Sequence, residues 1–551
     1  MRSFAGNRRG FFLVMVLVVI VVATLAAYSF TTRMLAFDRS AYLNGDLVQA
    51  RIAAESGSEV VRLVLADPPQ IRLENGGTFN NPNYFQAIPV SLGLDGITPC
   101  NFSVVAPALD ENGQLGGLRF GLQNESARLN INALPIIHEN SGAMTAALTL
   151  AGAGEEAVEE PENLAISMLM SLPGMTEDTA AAILDWLDED DETTEPNGAE
   201  ADYYEGLESK YSPTNGQILS IEELLLVRGV TPDLLFGADS NRNGMLDADE
   251  QQRFGVTIDT PGALGWSQYI TIHGGEANKT FDGNLRININ KDDLEVLYDE
   301  LLEVLGDETL ASYIVAFRIA GQTAAAAAVA TGINDNGGGG NGGDPWTAEA
   351  LAELDLSGGG GTEFTQVLDL VGSTVTVGDG NNATTFSSPF EDNPIAAALY
   401  LPLIMDALTT SDADFLPGRI NLNECPAELL YGISLLTEEQ IETILETRTI
   451  DSEDTNRRHE TWLITEGIVT TDEMRTLVPL FTCGGDVYRC QIVGYFEKGG
   501  AAHRSEFVVD ATTVNPKVVA WRDLSHLGRG FDLSVLGLRS NVDASTDSAQ
   551  N

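Results

Sequence analysis

"RRGFFLVMVLVVIVVATLAAYSF", residues 8–30, decides how the rest of the chain is read. From Phe11 to Phe30 no residue is charged. A helix rises about 1.5 Å per residue, so this run spans about 30 Å, one bilayer core. The apolar region of a secretory signal is shorter, about 7–15 residues, and ends at a small-residue cleavage site. Arg2, Arg8 and Arg9 precede the run, and no acid appears before Asp38. That asymmetry predicts a cytoplasmic N-terminus and an exported remainder.

Downstream of the run, Arg33 to Ala66 reads as one long amphipathic helix. Leu35, Leu43, Leu47, Ile52, Val60, Leu63 and Val64 supply its apolar positions, and Pro68-Pro69 stops it.

The chain has 551 residues, with 30 Lys plus Arg against 81 Asp plus Glu and a net charge of -51. Such a charge repels phosphate backbones and excludes nucleic acid as a partner. Its four cysteines, Cys100, Cys425, Cys483 and Cys490, are too few for a disulfide scaffold. Cys483 and Cys490 flank a Gly-Gly pair, so a local bridge is open to an exported body, with ordinary thiols as the alternative.

The body begins with two strand-like runs, 99–106 (PCNFSVVA) and 117–124 (GLRFGLQN). A long helical and loop region follows, and strands are expected again only near Val487. There "DVYRCQIVGYFEKG", "AAHRSEFVVDATTV" and "PKVVAWRDL" make a three-strand pattern. The expectation is an α+β fold in which a long N-terminal helix packs on an antiparallel sheet and a large, mostly α-helical insertion interrupts that sheet.

One pattern recurs inside the insertion: Arg128–Asn132 (RLNIN), Arg286–Asn290 (RININ) and Arg419–Asn423 (RINLN). Each alternation predicts a short strand leading to a helix, with the final Asn at the helix N-cap. Their spacing is irregular, so no solenoid is expected. "SLPGMTEDTAAAILDWL" (171–187), "LSIEELLLVRGVTPDLL" (219–235) and "GISLLTEEQIETILETR" (432–448) have the style of helix-hairpin-helix turns. The acids after the first of them oppose phosphate binding. Gly-rich tracts at 332–343 and 357–361 read as flexible loops, and the chain beyond about 536 as a disordered tail.

"DSNRNGMLDADE", Asp239 to Glu250, is the sharpest motif. It has the spacing of a twelve-residue EF-hand loop. Asp239, Asn241 and Asn243 stand at positions one, three and five, and Gly244 allows the sharp turn at six. Met245 offers its carbonyl at seven, Asp247 stands at nine, and Glu250 is the bidentate candidate at twelve. Ca²⁺ takes six to eight oxygens in flexible geometry, which this spacing wraps around one point. The flanking helical segments are short, so a structural Ca²⁺ loop is expected rather than a sensor.

A second acidic group comprises Asp185, Asp188, Asp190, Glu200 and Asp202. Asp185 and Asp188 lie one helical turn apart and share a face. The alternative is a solvated helix end. Enzymatic readings find no support: the five histidines are scattered without ligand spacing, and no nucleophile or phosphate-loop motif appears.

A membrane helix running into an amphipathic stalk resembles the type IV pilins and their relatives. The short basic leader ending in Gly10, followed by Phe11, resembles a prepilin peptidase site, with the cut between them and methylation of Phe11 to follow. Most pilins carry Glu at the fifth residue after the cut, and here that residue is Met15. Its absence is a mark of the K-type minor pseudopilin of type II secretion, GspK. The series "LNIN", "LPG", "DWLDEDD", "EADYYEGL", "SIEELLLVRGVT" over 128–235 is similar to the α-domain of that family, with weaker likeness over 419–475.

The resemblance implies a leader at 1–10, a transmembrane segment at 11–32 and a periplasmic stalk at 33–66. It implies a type IV pilin-like fold, with first strands at 67–127, an inserted α-domain at 128–480, C-terminal strands at 481–535 and a tail at 536–551. It also implies a non-enzymatic subunit at the pseudopilus tip, required for export across the outer membrane. The expected location is the inner membrane, single-pass, with the body in the periplasm. The implied partners are the I- and J-type minor pseudopilins, the prepilin peptidase and the inner-membrane platform. Family members bind calcium in the α-domain, which points to Asp185, Asp188, Asp190, Glu200 and Asp202. Residues 236–415 exceed what the family leads one to expect. The alternative is a membrane-anchored, pilin-like exported calcium-binding or adhesive protein of another system.

Overall fold

The computed structural model describes residues 9–93, 96, 98–150, 163–194, 197–257, 260, 262–321, 343–378, 383–450 and 453–537. The leader up to residue 8, most of the tract 332–343 and the tail beyond 537 lie outside the described residues.

One uninterrupted helix runs from Arg9 to Ala66, 58 residues, as the anchor-plus-stalk reading expects. By length and composition it can cross a membrane. A new helix, Pro69–Glu74, starts with proline in its first turn, where the missing N–H costs nothing.

Where the stalk meets the sheet, only part of the expected apolar set is used: Val60 and Val64 pack against the core. Ala50, Ala53, Ala54, Val61 and Leu65 are buried, while Leu35, Leu43, Leu47, Ile52 and Leu63 are exposed. Small residues win because the stalk lies almost backbone-to-backbone on the sheet. A Cβ on Gly494 would sit 1.9 Å from the Ala50 carbonyl oxygen, and one on Gly57 would sit 2.7 Å from Ile492 Cγ2. A stripe of leucines could not approach so closely.

The seven-stranded sheet joins the two ends of the body. Its main path runs Ile88–Leu92, Pro99–Leu109, Val487–Phe496, Ala502–Asp510, Lys517–Asp523, with every pairing antiparallel. Leu115–Arg119 and Gln123–Asn124 pair beside this path. Val104 lies opposite Ile492, so strands nearly four hundred positions apart share one core. That core holds Phe102, Val104, Tyr488, Ile492, Phe507 and Val509 against Ala54, Val61 and Leu65 of the stalk.

Everything between lies in a second, larger core of mostly helical character. The insertion carries more strand than the three expected short entries. Thr374–Val377 and Thr384–Ser387 form a hairpin extended by Asp344–Pro345, and several two- or three-residue pairs occur elsewhere.

Those pairs give the recurring Arg-aliphatic-Asn-aliphatic-Asn segment its meaning. Leu129-Asn130 lies parallel to Ile270-Thr271, Ile287-Asn288 to Leu408-Thr409, and Ile420-Asn421 to Phe481-Thr482. The preceding arginine donates to a carbonyl just ahead of the partner pair each time: Arg128 to Gln268, Arg286 to Asp406, Arg419 to Val478. Each closing Thr hydroxyl accepts the N–H two residues on, from His273, Ser411 and Gly484.

The final Asn caps no helix: Asn130 caps the short turn Ile131–Ala133, Asp293 caps the helix Leu294–Leu305, and the first Asn of each segment closes a local turn. Asn130, Asn288 and Asn421 accept from the N–H of residues 132, 290 and 423. The final Asn clamps a distant backbone segment instead. Asn132 exchanges bonds with both backbone groups of Ile218, Asn290 does the same with Phe364, and Asn423 donates to the Arg457 carbonyl. The insertion is therefore built from three units of one design, spanning 128–271, 286–409 and 419–482.

Of the two readings left open for Cys483 and Cys490, the structure has the ordinary thiols, and all four cysteines are free. Cys483 packs against the helical core and Cys490 against the stalk-and-sheet core. The intervening glycines do not turn the chain back. Asn124 donates to the carbonyls of Gly484 and Gly485, and Asp486 N–H donates to Gly275, so the segment runs straight from one core to the other.

Candidate metal centres

The loop Asp239–Glu250 follows a short helix, Pro232–Phe236, and runs into another, Ala248–Phe254. Two left-handed residues wind it: Arg242 at φ 57° and Gly244 at φ 77°. Asp239 accepts the N–H groups of Asn243 at 3.0 Å and Gly244 at 2.8 Å. Glu250 accepts Ser240 Oγ at 2.9 Å, Asn241 N–H at 3.1 Å and Asp247 N–H at 3.2 Å. Asp247 accepts the side-chain amides of Asn241 at 2.7 Å and Asn243 at 3.2 Å.

All six predicted positions thus belong to one knot, with Asp239, Asn243 and Glu250 buried. Asn241 Oδ1 is buried with no hydrogen-bond partner, an acceptor left for a cation. Burial, with Glu250 nearby, pushes the Asp239 carboxyl up to about 7 in spite of its two N–H donors. An all-oxygen set of this composition suits Ca²⁺, with Met245 supplying its carbonyl.

The sheet grips this loop from below. Arg504 donates to the Asn241 carbonyl, and Gln491 to that of Arg242 at 2.6 Å. Asn243 donates outward to Gly530 at 2.6 Å.

The second centre stands at the end of helix Glu177–Leu187, which Thr176 caps. Asp185 is fully buried on its inner face, and Asp188 is the C-cap. Glu200, at the start of the helix Ala201–Glu205, returns toward them. Ligand oxygens of Asp188, Asp190 and Glu200 lie within 4.8 Å of one another. Among the described residues, three carboxylates gather this tightly only here.

Asp185 spends one oxygen on the Thr194 N–H at 2.8 Å. Its other oxygen, Asp188 Oδ1 and both oxygens of Glu200 are buried with no hydrogen-bond partner. Burial, then Asp190 and Asp185, push Asp188 up to about 7. Burial, then Asp185 and Asp188, do the same to Glu200. Converging, dehydrated, unpaired carboxylates either hold protons or hold a cation. Asp202, the fifth residue of the expected set, is exposed on the helix Ala201–Glu205 and stands outside this gathering.

One network was not anticipated. Glu125, at the root of the insertion, is fully buried and pairs with Arg489 of the sheet and with Arg128 at 3.7 Å, while the Thr271 hydroxyl donates to it. Burial alone would raise its pKa, but the two guanidiniums hold it down at about 2. Arg489 also pairs with Glu506 at 3.0 Å. Nothing in local spacing announces a partner 364 positions away.

Residues 127–236 match the model of the family described as type II secretion system (T2SS), protein K. That stretch begins at the root of the insertion, contains the second centre whole and ends just before the calcium-type loop. No curated protein matches the chain. Among solved structures, the crystal structure of the GspK-GspI-GspJ complex from the enterotoxigenic Escherichia coli type 2 secretion system aligns with 11% identity. It covers 86% of this chain and 96% of that chain, with a TM-score of 0.28.

Proposed function

We propose that this chain, whose residues 127–236 match the model of the type II secretion system protein K family, is a minor pseudopilin at the tip of the pseudopilus. Its work is assembly rather than catalysis. Prepilin peptidase cuts between Gly10 and Phe11, and Phe11 is then methylated. Phe11 to about residue 32 anchors the chain in the inner membrane, and the body lies in the periplasm.

The observation that carries the reading, beside the family domain, is the stalk. Leu35, Leu43 and Leu47 stay exposed on the stripe that continues into the buried Ala50, Ala54, Val61 and Leu65 but lies ahead of the sheet, and Ile52 and Leu63 are exposed on the far side. A water-exposed helix keeps such residues at a cost unless other helices cover them. We read them as the seam for the I- and J-type minor pseudopilins. The bulky insertion caps the assembly because nothing can stack above it.

Both metal centres are assigned to Ca²⁺ in a structural role. Asp239, Asn241, Asn243, Met245, Asp247 and Glu250 would hold one ion. Asp185, Asp188, Asp190 and Glu200 would hold another. The ions neutralise carboxylates that are otherwise buried and unpaired, and fasten the insertion.

Mass spectrometry of the mature N-terminus in the native host tests the processing step. A protein beginning at methylated Phe11 supports the assignment. An intact Met1 overturns it. Crosslinking from Leu47 or Ile52 tests the seam: capture of I- or J-type subunits supports it, and capture only of unrelated envelope proteins removes it.

A further inference from the structure

The chain enters and leaves the middle unit of the insertion through one neck, while the unit also packs beside the third, where Arg475 donates to the carbonyls of Leu368 and Val371. The strands Gly275–Ala277 and Phe415–Pro417 pair antiparallel, with Ala277 directly opposite Phe415. Just beyond them Asn278 N–H donates to the Asp414 carbonyl, and its side chain donates to the carbonyls of Ser411 and Ala413. Residues 278–414 therefore leave and return through a two-stranded neck. The unit is closed by its own Arg286 and Leu408-Thr409, and it lies outside the matched residues 127–236.

Its closing helix, Pro394–Ala407, is unusual on this acidic protein. Within 14 residues the only charged side chain is Asp406. One face, Ala397, Tyr400, Leu401, Ile404 and Ala407, is buried. The opposite face presents Ile395 and Leu399, 84% and 82% exposed, and Leu403, at i, i+4 and i+8. The counterpart in the third unit, Thr471–Leu477, instead carries Asp472 outward and turns Arg475 to the carbonyls of Leu368 and Val371 in the middle unit.

Lipid does not cover this stripe. Asp406, near the helix's end, accepts the N–H of Phe281, whose carbonyl accepts the N–H of Gln70, just past the stalk. Phe30 to Ala66 is about 54 Å of helix, so the stripe stands at the end of the stalk away from the bilayer. A second copy is disfavoured by charge. Glu391 and Asp392 precede the stripe, Asp406, Asp412 and Asp414 follow it, and each chain carries -51. Pairing two such helices in either direction brings acids against acids.

We propose that residues 278–414 are a third copy of the helical unit added at the neck, and that the Ile395–Leu399–Leu403 face docks a basic amphipathic helix of a partner protein. Apolar side chains at helical spacing would fill the stripe, and Lys or Arg at the ends would meet the acids.

The probe is a labelled synthetic helical peptide with Leu at every fourth position and Lys at both ends. It is titrated by fluorescence anisotropy against the full chain in phosphatidylcholine nanodiscs, with empty nanodiscs as blank. A peptide with Glu for Lys is the charge control. Saturable binding of the basic peptide alone, weakened about tenfold or more by Leu399→Glu and left unchanged by Leu219→Glu at a distant exposed leucine, supports the proposal. Equal binding by wild type and Leu399→Glu overturns it, because the peptide is then held only by general acidity. Self-association abolished by Leu399→Glu overturns it in favour of a second copy. Joining Ala277 to Phe415 through Asn-Gly, the favoured two-residue hairpin turn, tests the added unit. A cooperatively melting protein that no longer binds the peptide is expected, and a chain that fails to fold overturns the added-unit claim.

Discussion

Arg504, on the strand Ala502–Asp510, donates to the backbone carbonyl of Asn241, so the sheet holds the proposed calcium loop by its main chain. Arg504 is fully buried, and its Nε and Nη1 have no hydrogen-bond partner. It sits in the field of Asp239, Asp247 and Glu250, and burial pulls its pKa down to about 10. A fixed positive charge beside a cation site weakens that site while anchoring the loop. Arg504→Met is expected to tighten Ca²⁺ binding about fivefold by calorimetry, the order expected for one charge at this range. It should also lower the melting temperature of the calcium-free protein.

Removing the ion from the loop should loosen the insertion, not the sheet. Asp239→Ala and Glu250→Gln are each expected to abolish one class of Ca²⁺ site in equilibrium dialysis. Amides of residues 239–250 should then lose hydrogen-exchange protection while those of 487–496 keep theirs. Unchanged stoichiometry in both variants would remove the loop from the list of ion sites.

The second centre makes a pH prediction with a definite sign. Asp188 and Glu200 are pushed up to about 7. Between about pH 4 and pH 7 the folded chain therefore binds more protons than the unfolded one, and this contribution to stability falls as pH rises. The calcium-free protein should lose melting temperature across that window. The gain from added Ca²⁺ should grow over the same range, and Asp188→Asn should flatten both trends.

Glu125 behaves in the opposite way. Its carboxyl is held at about 2, so its contribution is complete above its ordinary range and is lost as pH falls toward 2. Glu125→Leu strands Arg128 and Arg489 in the interior and is expected to cost about 3–5 kcal/mol in urea unfolding. A cost below about 1 kcal/mol would mean that Glu506 and solvent satisfy both guanidiniums.

The contact between Gly494 and Ala50 is tight enough to be tested by one methyl group. A Cβ there meets the helix backbone at 1.9 Å, which no rotamer change relieves. Gly494→Ala is expected to destabilise the sheet and stalk by about 1–3 kcal/mol or more.

What the sequence made legible was local. The stalk follows from an unbroken apolar run, and the calcium-type loop from oxygens at fixed spacing. Asp185, Asp188 and Asp190 lie within one turn and its exit. What escaped depends on pairing at long range. The expected apolar set held Val60 and Val64, which pack on the core, but not Ala50, Ala53 and Ala54, which the close approach of the facing strand's glycine selects. Cys483 and Cys490 looked like neighbours until each was assigned to a different core. The repeated Arg and Asn residues were visible as a pattern. Their partners at 218, 268, 364, 406, 457 and 478 were not, so three units of one design read as three helix entries.

The helix Arg9–Ala66 contains no proline, and its last turns lie flush on the sheet. Helices bend sharply at prolines, bulges or inserted waters, and a bare glycine contact leaves no slack for sliding. The anchor and the sheet thus behave mechanically as a rod and its head. A load applied to the far end of the body passes down about 54 Å of helix to the bilayer, with no hinge between to absorb it.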